Sequence, residues 1–484
     1  MTTRIGSWTT ALMGAVLVAV LQGCGGSGGD GVVPPPPVVS EPVLTVGAIT
    51  GFGSVHVNGV RYETDDADII VDGVVATQSA LKVGQVIELK GEMRSGSAYA
   101  DIIHYHNNLE GPVTEVDLPG LRFVAMGQTV LVGPETSFGD GVSPPALEGI
   151  SVGDIVEVSG LVNAAGEIEA TRVDIKPDGG LYDVYGYVAG HVPAEFRFMI
   201  NALVVDYSGA NLDDFEDGAP ADGDLVLVKG AEFGEDGEFI ATRIELRHDE
   251  ALTPADGSLV HVAGFITRFV SPTDFDVAGW PVTTTDATVY EGGTVADLEL
   301  GAKVCVRGLV GDDGVLVASR ITFKVASDVR VIAQVSDIDV QGGLITAMGI
   351  EISALDDTRF EDESEADLPT FGLGDLNPGD WVDVRGYESP AGSGAVVASR
   401  IERLDAQDED RLRGPFRDPA QPAFKVLAVQ VYATDQTNYV IEGGQKITAA
   451  EFFGLAEETL VEIRGSWDGT ALTATHAIIK TCED

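Results

Sequence analysis

The sequence is short of basic residues, with 29 Lys and Arg against 77 Asp and Glu, and its formal net charge is −48 over 484 residues. Proteins that bind a phosphate backbone use clustered Lys and Arg to displace its counterions. No Lys- or Arg-rich run occurs in this chain. The composition therefore argues against nucleic acid as a partner and disfavours an anionic membrane surface.

The amino-terminal apolar run, from Ala11 to Leu21, is also short. It has 11 residues, whereas a helix that spans a bilayer needs about 20. It follows Arg4, and a basic residue before a short apolar stretch is typical of a secretory signal. The sequence therefore predicts export.

The end of this run, Leu21-Gln22-Gly23-Cys24, resembles the lipobox of bacterial lipoproteins. The resemblance implies cleavage before Cys24 and several acyl chains on that residue, which anchor a protein stably. We therefore predict a lipoprotein signal peptide over 1–23 and a Gly- and Pro-rich tether over 24–43. The same resemblance implies, because Gly25 and not Asp follows the cysteine, an outer-membrane lipoprotein that faces the periplasm or the cell surface. An ordinary signal peptide with an incidental cysteine is the alternative.

Cysteine is scarce, and besides Cys24 only Cys305 and Cys482 are present. In an oxidising compartment such an even pair can form a disulfide. Two separate thiols are the alternative.

What the sequence has in abundance is a repeated segment of alternating apolar residues that ends in glycine. The closing glycines are Gly91, Gly160, Gly230, Gly308, Gly386 and Gly465. After a turn of varying length, each copy continues with an alanine, at Ala100, Ala170, Ala241, Ala318, Ala398 and Ala474. Two alternating strands around a Gly-containing turn predict a β-hairpin. We therefore predict six β repeats, over 44–107, 108–180, 181–252, 253–327, 328–408 and 409–484.

Each copy offers about five short strands. Four copies carry a Thr-x-aromatic motif before the hairpin, at Thr136/Phe138, Thr288/Tyr290, Thr358/Phe360 and Thr437/Tyr439. A core of this size is only marginally stabilising, and closing the sheet removes its exposed edges. The sequence therefore predicts an all-β fold, a tandem array of six small antiparallel β-barrels in line that resemble OB-type barrels.

The alternation also directs one set of side chains away from each barrel. Three residues before the closing glycine stand acids such as Glu157 and Asp383. An arginine on the second strand occurs in four copies, at Arg172, Arg243, Arg320 and Arg400. We interpret these residues as cross-strand ion pairs that set the hairpin register. A ladder of basic sites for an acidic polymer is the alternative.

The order of these segments resembles a bacterial domain of unknown function, DUF5666. The resemblance is carried by "GAITGFGSVHVNGVRYETDDADIIVDG" (47–73), by "LKVGQVIELKG" (81–91) and by the A-x-R-I strand of the hairpin. It covers nearly the whole chain after the tether. It implies a domain type that is often found in predicted lipoproteins, and it implies no activity or site residues.

No motif in the chain indicates a catalytic, cofactor-binding or metal site. His104 and His106 lie on one face of a predicted strand, a spacing that suits a transition metal, but no third ligand is identifiable. Acidic segments such as 211–224 and 360–375, which we interpret as variable loops, allow weak binding of Ca²⁺ at the surface.

Together these features predict an exported, lipid-anchored repeat protein that acts without catalysis, as a binding or spacing module of the cell envelope. An envelope polysaccharide or an envelope protein is the expected partner. Two alternatives stay open, a carbohydrate-active or other envelope hydrolase with its site in the long loops, and a calcium-dependent adhesion module.

Overall fold

A computed structural model describes residues 40–139, 141–177, 179–212, 215, 218–246 and 254–480. The signal peptide over 1–23, most of the tether, Cys24 and Cys482 lie outside the described residues. The first strand begins at Ser40, so the folded part starts inside the segment predicted as tether.

The described chain is built almost entirely of short strands. Barrel 1 contains β1 (Ser40–Gly51), β2 (Val55–Val57), β3 (Val60–Glu63), β4 (Asp68–Val71), β5 (Val74–Ala76), β6 (Val86–Arg94) and β7 (Ser97–Tyr105). Barrel 2 contains β8 (Leu109–Asp117), β9 (Arg122–Ala125), β10 (Gln128–Phe138), β11 (Ile155–Val162) and β12 (Ile168–Lys176). Barrel 3 contains β13 (Tyr182–Tyr187), β14 (Ala189–Val192), β15 (Arg197–Ile200), β16 (Leu203–Asp206), β17 (Leu225–Phe233) and β18 (Phe239–Leu246).

The second half of the chain repeats the pattern. Barrel 4 contains β19 (Leu259–Ser271), β20 (Asp274–Val277), β21 (Trp280–Thr283), β22 (Val289–Glu291), β23 (Lys303–Val310) and β24 (Leu316–Phe323). Barrel 5 contains β25 (Val329–Asp339), β26 (Leu344–Ala347), β27 (Ile350–Glu363), β28 (Trp381–Glu388) and β29 (Val396–Leu404). Barrel 6 contains β30 (Asp410–Ala420), β31 (Ala423–Val426), β32 (Val429–Ile441), β33 (Leu460–Trp467) and β34 (Leu472–Ile479).

Helices are short. One α-helix, α1 (Ala449–Phe453), lies in barrel 6 and begins with a capping box between Thr448 and Glu451. Single 3₁₀ turns span Gln78–Ala80, Leu147–Gly149, Pro193–Glu195, Val295–Asp297 and Leu373–Asp375. None of the helices in the described part of the chain has the length and apolar composition of a membrane span.

The strands of each barrel close into a ring. In barrel 2, β8 pairs with β9, β9 with β10, β10 with β12, β12 with β11, and β11 with β8. This order is that of an OB-type barrel, so the predicted class of fold, small repeated β-barrels, is confirmed. The antiparallel description needs one amendment, because the pairing of β10 with β12 is parallel. Barrels 1, 3, 4, 5 and 6 contain the corresponding parallel pair.

The closing glycine of each hairpin lies opposite a bulge in the second strand of that hairpin. In barrel 4 Arg307 pairs with Arg320, whereas the next residue, Gly308, pairs with Ala318. A Cβ on Gly308 would lie 2.1 Å from the carbonyl oxygen of Val317. The corresponding distance is between 1.8 and 2.4 Å at Gly91, Gly160, Gly230, Gly308, Gly386 and Gly465. Glycine recurs because the bulge brings two backbones closer than any side chain allows.

The threonine of the Thr-x-aromatic motif joins the segment before the hairpin to the second strand of the hairpin by a hydrogen bond. The Oγ1 atom of Thr288 donates to the carbonyl oxygen of Ala318 at 2.7 Å and accepts the N–H of Thr285 at 2.9 Å. The same donor bond, at 2.7 Å in each case, joins Thr136 to Ala170, Thr358 to Ala398 and Thr437 to Ala474. The aromatic residues that follow, Phe138, Tyr290, Phe360 and Tyr439, contact the apolar cores.

Barrels also pair with one another through their strands. In the described chain β1 pairs with β19, β8 with β13, and β25 with β30, which forms sheets of 13, 11 and 10 strands. Barrel 1 therefore shares a sheet with barrel 4, which is distant from it in sequence. The expectation that the barrels follow one another in line is wrong, because β1 of barrel 1 pairs directly with β19 of barrel 4.

Candidate functional site

The densest group of charged side chains lies between barrels 2 and 5. We call it the ion cluster, and it comprises Glu135, Arg172, Asp174, Arg359, Glu361, Asp383, Arg400 and Glu402. All but Glu135 are at most 8 % exposed. Since most contributing strands carry their other side chains into an apolar core, these charges face away from their own barrel and are covered by the neighbouring one.

Two arginines at equivalent positions hold the ion cluster together. Arg172 donates twice to Asp174, at 2.6 and 2.8 Å, and lies 3.8 Å from Glu361. Arg400 contacts Glu361 at 2.7 Å and also pairs with Glu402. Its Nη1 atom donates to the carbonyl oxygen of Thr136 at 2.8 Å, across the barrel boundary. Paired charges with satisfied hydrogen bonds tolerate burial, whereas a lone buried charge does not.

A bulge of barrel 2 is bound directly by barrel 5. Pro134, Glu135 and Thr136 form this bulge in β10, where the register to β12 shifts. The Oγ atom of Ser399 donates to the Glu135 carboxylate at 2.7 Å, and Arg385 donates to the Pro134 carbonyl oxygen. Backbone carbonyls and one carboxylate of barrel 2 thus meet the cationic face of barrel 5.

The arginines set the ionisation of the buried acids. Burial by itself would raise the pKa of Glu361, but Arg400, Arg359 and Arg172 outweigh it and hold that pKa below its usual value. Arg330 and Arg385 likewise overcome burial and hold the pKa of Asp383 down. Burial raises the pKa of Glu402, against the attraction of Arg400. Most carboxylates of the ion cluster are therefore held ionised as structural partners.

A second group of acids lies where barrels 1, 2 and 3 meet. Asp183 on β13 stands directly opposite Glu110 on β8. Burial, together with the nearby carboxylates of Asp72 and Glu110, raises the pKa of Asp183 to about 7. Its Oδ1 atom is buried without a hydrogen-bond partner among the described residues. The junction therefore places like charges opposite each other.

The hairpin arginines point away from their barrels, as predicted, but the predicted cross-strand pairing of these arginines with the acidic position is wrong. Arg172 lies opposite Ser159, and Arg400 lies opposite Arg385, so neither faces the acidic position across the strand. Each instead pairs with the acid two residues further along its own strand, Asp174 or Glu402. Arg243 pairs with Glu245 in the same way and stays exposed.

The segment 360–375 was expected to be an acidic loop, and this is wrong for its first residues. Phe360 to Glu363 form the end of β27, and Glu361 and Asp362 are buried. Arg403 binds Asp362, and burial is outweighed by that hydrogen bond and by one from Ser364, so the pKa of Asp362 falls to about 2. The spacing of Arg359 and Glu361, two residues apart and therefore on one face of a strand, could have predicted that β27 continues into this segment.

The cysteine and histidine positions singled out in the sequence do not come together in one site among the described residues. Cys305 lies on β23 with no disulfide partner among the described residues, and burial raises the pKa of its thiol. The disulfide with Cys482 stays a prediction, as does lipidation of Cys24. The rings of His104 and His106 are 6.2 Å apart. Within the described ranges, no three His, Cys, Asp or Glu side chains are arranged to hold a metal ion.

Two of the shallow grooves on the described surface lie in barrels 1 and 4. One of about 300 Å³ lies in barrel 1 between Arg61 and Ser97. The other, of about 400 Å³, lies in barrel 4 and is lined by Thr285, Ala287, Leu309 and Val317. The barrel 4 groove is mainly apolar, and it separates the bulge of that barrel from its hairpin.

Comparison with known proteins identifies the repeats. The family model of a domain of unknown function, DUF5666, matches residues 45–104, 110–174, 263–322 and 331–402, which fall in barrels 1, 2, 4 and 5. No curated protein matches the chain. Among solved structures, Drosophila Unr CSD456 is 15% identical over 48% of this chain and 99% of its own, with a TM-score of 0.12, which is too low to carry a structural argument. Because the family model covers more than half of the sequence, the chain belongs to the DUF5666 family.

Proposed function

We propose that this DUF5666 repeat protein is an exported, lipid-anchored module of the cell envelope that acts without catalysis, by binding or spacing other components. In this role the barrels form a fixed frame, and the loops that differ between barrels contact the partner. An envelope polysaccharide or protein is the partner class that an acidic, exported frame of this kind would meet.

The ion cluster is the observation that supports the proposal best. Barrels that moved independently on flexible linkers would not keep charged side chains buried between them. Separating barrels 2 and 5 would strip Glu361 of its contact with Arg172 and Arg400 of its bond to Thr136. Because breaking a buried ion pair is strongly unfavourable, the two barrels hold one relative position. A frame that fixes the spacing of its loops suits binding to a repetitive or extended partner.

The anchoring part of the proposal is tested by Cys24→Ser. The wild-type chain, expressed with its signal in a Gram-negative host, is expected to incorporate labelled palmitate and to sediment with membranes. The variant should lose both properties because the acylated sulfur is removed. A variant that still sediments with membranes after carbonate washing would contradict lipid anchoring. Arg4→Lys, which keeps the basic residue of the signal, is the matched control.

The binding part is tested with the Cys24→Ser chain on a glycan array and on purified peptidoglycan sacculi. Retention on one envelope polymer, without release of soluble fragments, is the expected result. Turnover in a hydrolase panel would contradict a role without catalysis. A rise of several degrees in melting temperature with Ca²⁺ would favour the adhesion alternative.

A further inference from the structure

Barrel 4 repeats on its exposed surface the side chains with which barrel 5 binds barrel 2. The barrel 5 residues are Glu361, Arg385, Ser399 and Arg400, and the barrel 4 residues at the same positions are Glu291, Arg307, Ser319 and Arg320. We call the second set the barrel 4 face. All four residue types are identical between the two barrels, whereas Arg359, which also donates to barrel 2, has Val289 at its position in barrel 4.

The register of the strands confirms that these positions correspond. Arg385 lies opposite Arg400 in barrel 5, and Arg307 lies opposite Arg320 in barrel 4. The strand that carries Glu361 runs parallel to β29, and the strand that carries Glu291 runs parallel to β24. The two faces therefore have the same backbone frame.

The local bonds of the two faces agree as well. Arg400 contacts Glu361 at 2.7 Å, and Arg320 contacts Glu291 at 2.9 Å. The hydroxyl of Ser399 donates to the carbonyl oxygen of Arg385 at 3.0 Å, and that of Ser319 donates to Arg307 at 2.9 Å. The barrel 4 face thus holds its side chains as the occupied face of barrel 5 does.

The two faces differ in what covers them. The side chains of Arg400 and Glu361 are 4% and 8% exposed beneath barrel 2, whereas those of Arg320 and Glu291 are 52% and 44% exposed. Apolar side chains at the margin of the barrel 4 face, Val289 and Leu309, are also about half exposed. Within the described chain, no other barrel covers this face.

Barrel 4 also displays the element that the barrel 5 face binds. The barrel 2 bulge, Pro134 to Thr136, corresponds to Asp286, Ala287 and Thr288 in barrel 4, and Asp286 and Ala287 are exposed. The acid of the barrel 4 bulge, Asp286, therefore stands one residue before the position of Glu135. The two bulges share their bracing, because Thr136 accepts the N–H of Gly133 at 3.0 Å as Thr288 accepts that of Thr285 at 2.9 Å. The groove of about 400 Å³ lies between this bulge and the hairpin.

We propose that the barrel 4 face binds the acidic bulge of barrel 4 in a second copy of this chain, so that two copies associate about a two-fold axis. One patch contains both an acidic bulge and a cationic face, which makes it self-complementary, as a two-fold contact requires. The chain has few basic residues, so two exposed arginines side by side, Arg307 and Arg320, form a distinct positive site. This site can attract the acidic surface of a second copy.

The proposal does not depend on lipid anchoring or on the proposed function. It is tested by sedimentation velocity on the Cys24→Ser chain over a range of concentrations. We expect a reversible monomer–dimer equilibrium that weakens in 1 M salt, where charges are screened beyond about 3 Å. A wild-type chain that stays monomeric at every concentration would overturn the proposal.

Two charge-reversal variants give the sharper test. Variant A carries Arg307→Glu and Arg320→Glu, so its face repels the acidic bulge of another copy. Variant B carries Asp286→Lys, so its bulge repels the unchanged arginines. Each variant alone is expected to dimerise at least tenfold more weakly than wild type. A mixture of A and B should recover heterodimers, because the acidic face of A meets the basic bulge of B.

Arg243→Glu is the matched control, because Arg243 occupies the same position in barrel 3 and is exposed and paired with Glu245. This control should dimerise as the wild type does, and the melting temperatures of A and B should show that both fold. If A and B dimerise normally alone, or if their mixture stays monomeric while wild type dimerises, the assigned surface is wrong.

Discussion

At the scale of single residues, the repeated glycine has the clearest physical reason. In barrel 5 a Cβ on Gly386 would lie 2.0 Å from the carbonyl oxygen of Val397. We expect Gly386→Ala to lower the free energy of unfolding by about 1–3 kcal/mol, the usual cost of forcing extra atoms into packed structure. Chemical denaturation monitored by tryptophan fluorescence measures the change. Gly374→Ala in the same barrel, where the added Cβ meets nothing within 4 Å, should be close to neutral.

The acid at the junction of barrels 1, 2 and 3 gives a prediction about pH. The pKa of Asp183 is raised from 3.8 to about 7, so between these values the folded state binds more protons than the unfolded state. The free energy of unfolding should therefore fall as pH rises through this window, by up to about 4 kcal/mol. The charge of Lys229 favours ionisation of Asp183 and opposes this rise in pKa, and its effect is already contained in the value of about 7.

Asp183→Asn tests this assignment. The variant should match wild type near pH 4 and exceed it near pH 8, because the amide cannot ionise opposite Glu110. Asp222→Asn, at an exposed loop position of the same barrel, should leave the pH profile unchanged. Equal slopes of stability against pH in Asp183→Asn and wild type would contradict the assignment.

At the scale of elements, the same hairpin is buried against a neighbouring barrel in barrel 5 and exposed in barrel 4. Arg400 and Arg320 occupy equivalent positions on β29 and β24, and their side chains are 4% and 52% exposed. Arg400→Met should destabilise the chain by about 3–5 kcal/mol, since it leaves Glu361 and Glu402 buried with less compensating charge. Arg320→Met should cost at most about 1 kcal/mol, as exposed ion pairs do. Denaturation at low protein concentration compares the two, and equal losses would contradict the structural role of the ion cluster.

The hairpins could be predicted from the sequence because their determinants are local. Val156 and Val158 alternate with polar residues, and both are fully buried. The ion cluster could not be predicted in the same way. Arg359 on β27 meets Ser137 on β10, 222 residues away, and nothing in either strand alone indicates its partner. Surfaces that meet across barrels leave no periodic signal, so residues that looked solvent-facing proved to be buried between barrels.

At the scale of the whole molecule, acids on one barrel are matched to arginines on another. The 77 acids of the chain far outnumber its 29 Lys and Arg, and three of the arginines, Arg172, Arg385 and Arg400, donate to backbone carbonyls of a neighbouring barrel. As pH falls, the free energy of unfolding should first rise, because Asp183 takes up a proton, and should then fall, because the buried carboxylates of the ion cluster are protonated. Denaturation curves recorded from pH 8 to pH 3 measure both changes. The carboxylates of Glu361 and Asp383, whose pKa values are lowered, contribute stability above about pH 4 that is lost as pH falls through their folded pKa values.

The first strand of the fold has a mechanical consequence. β1 is hydrogen-bonded on one side to β6, from Ser40 to Ala48, and on the other side to β19, from Val43 to Val46. Val43 enters the core of barrel 1, and the adjacent Leu44 enters the core of barrel 4. A pull on Ser40 along the strand would load both ladders in shear, so that many bonds must yield together. Tension at this end of the chain would therefore be divided between two barrels instead of peeling one open.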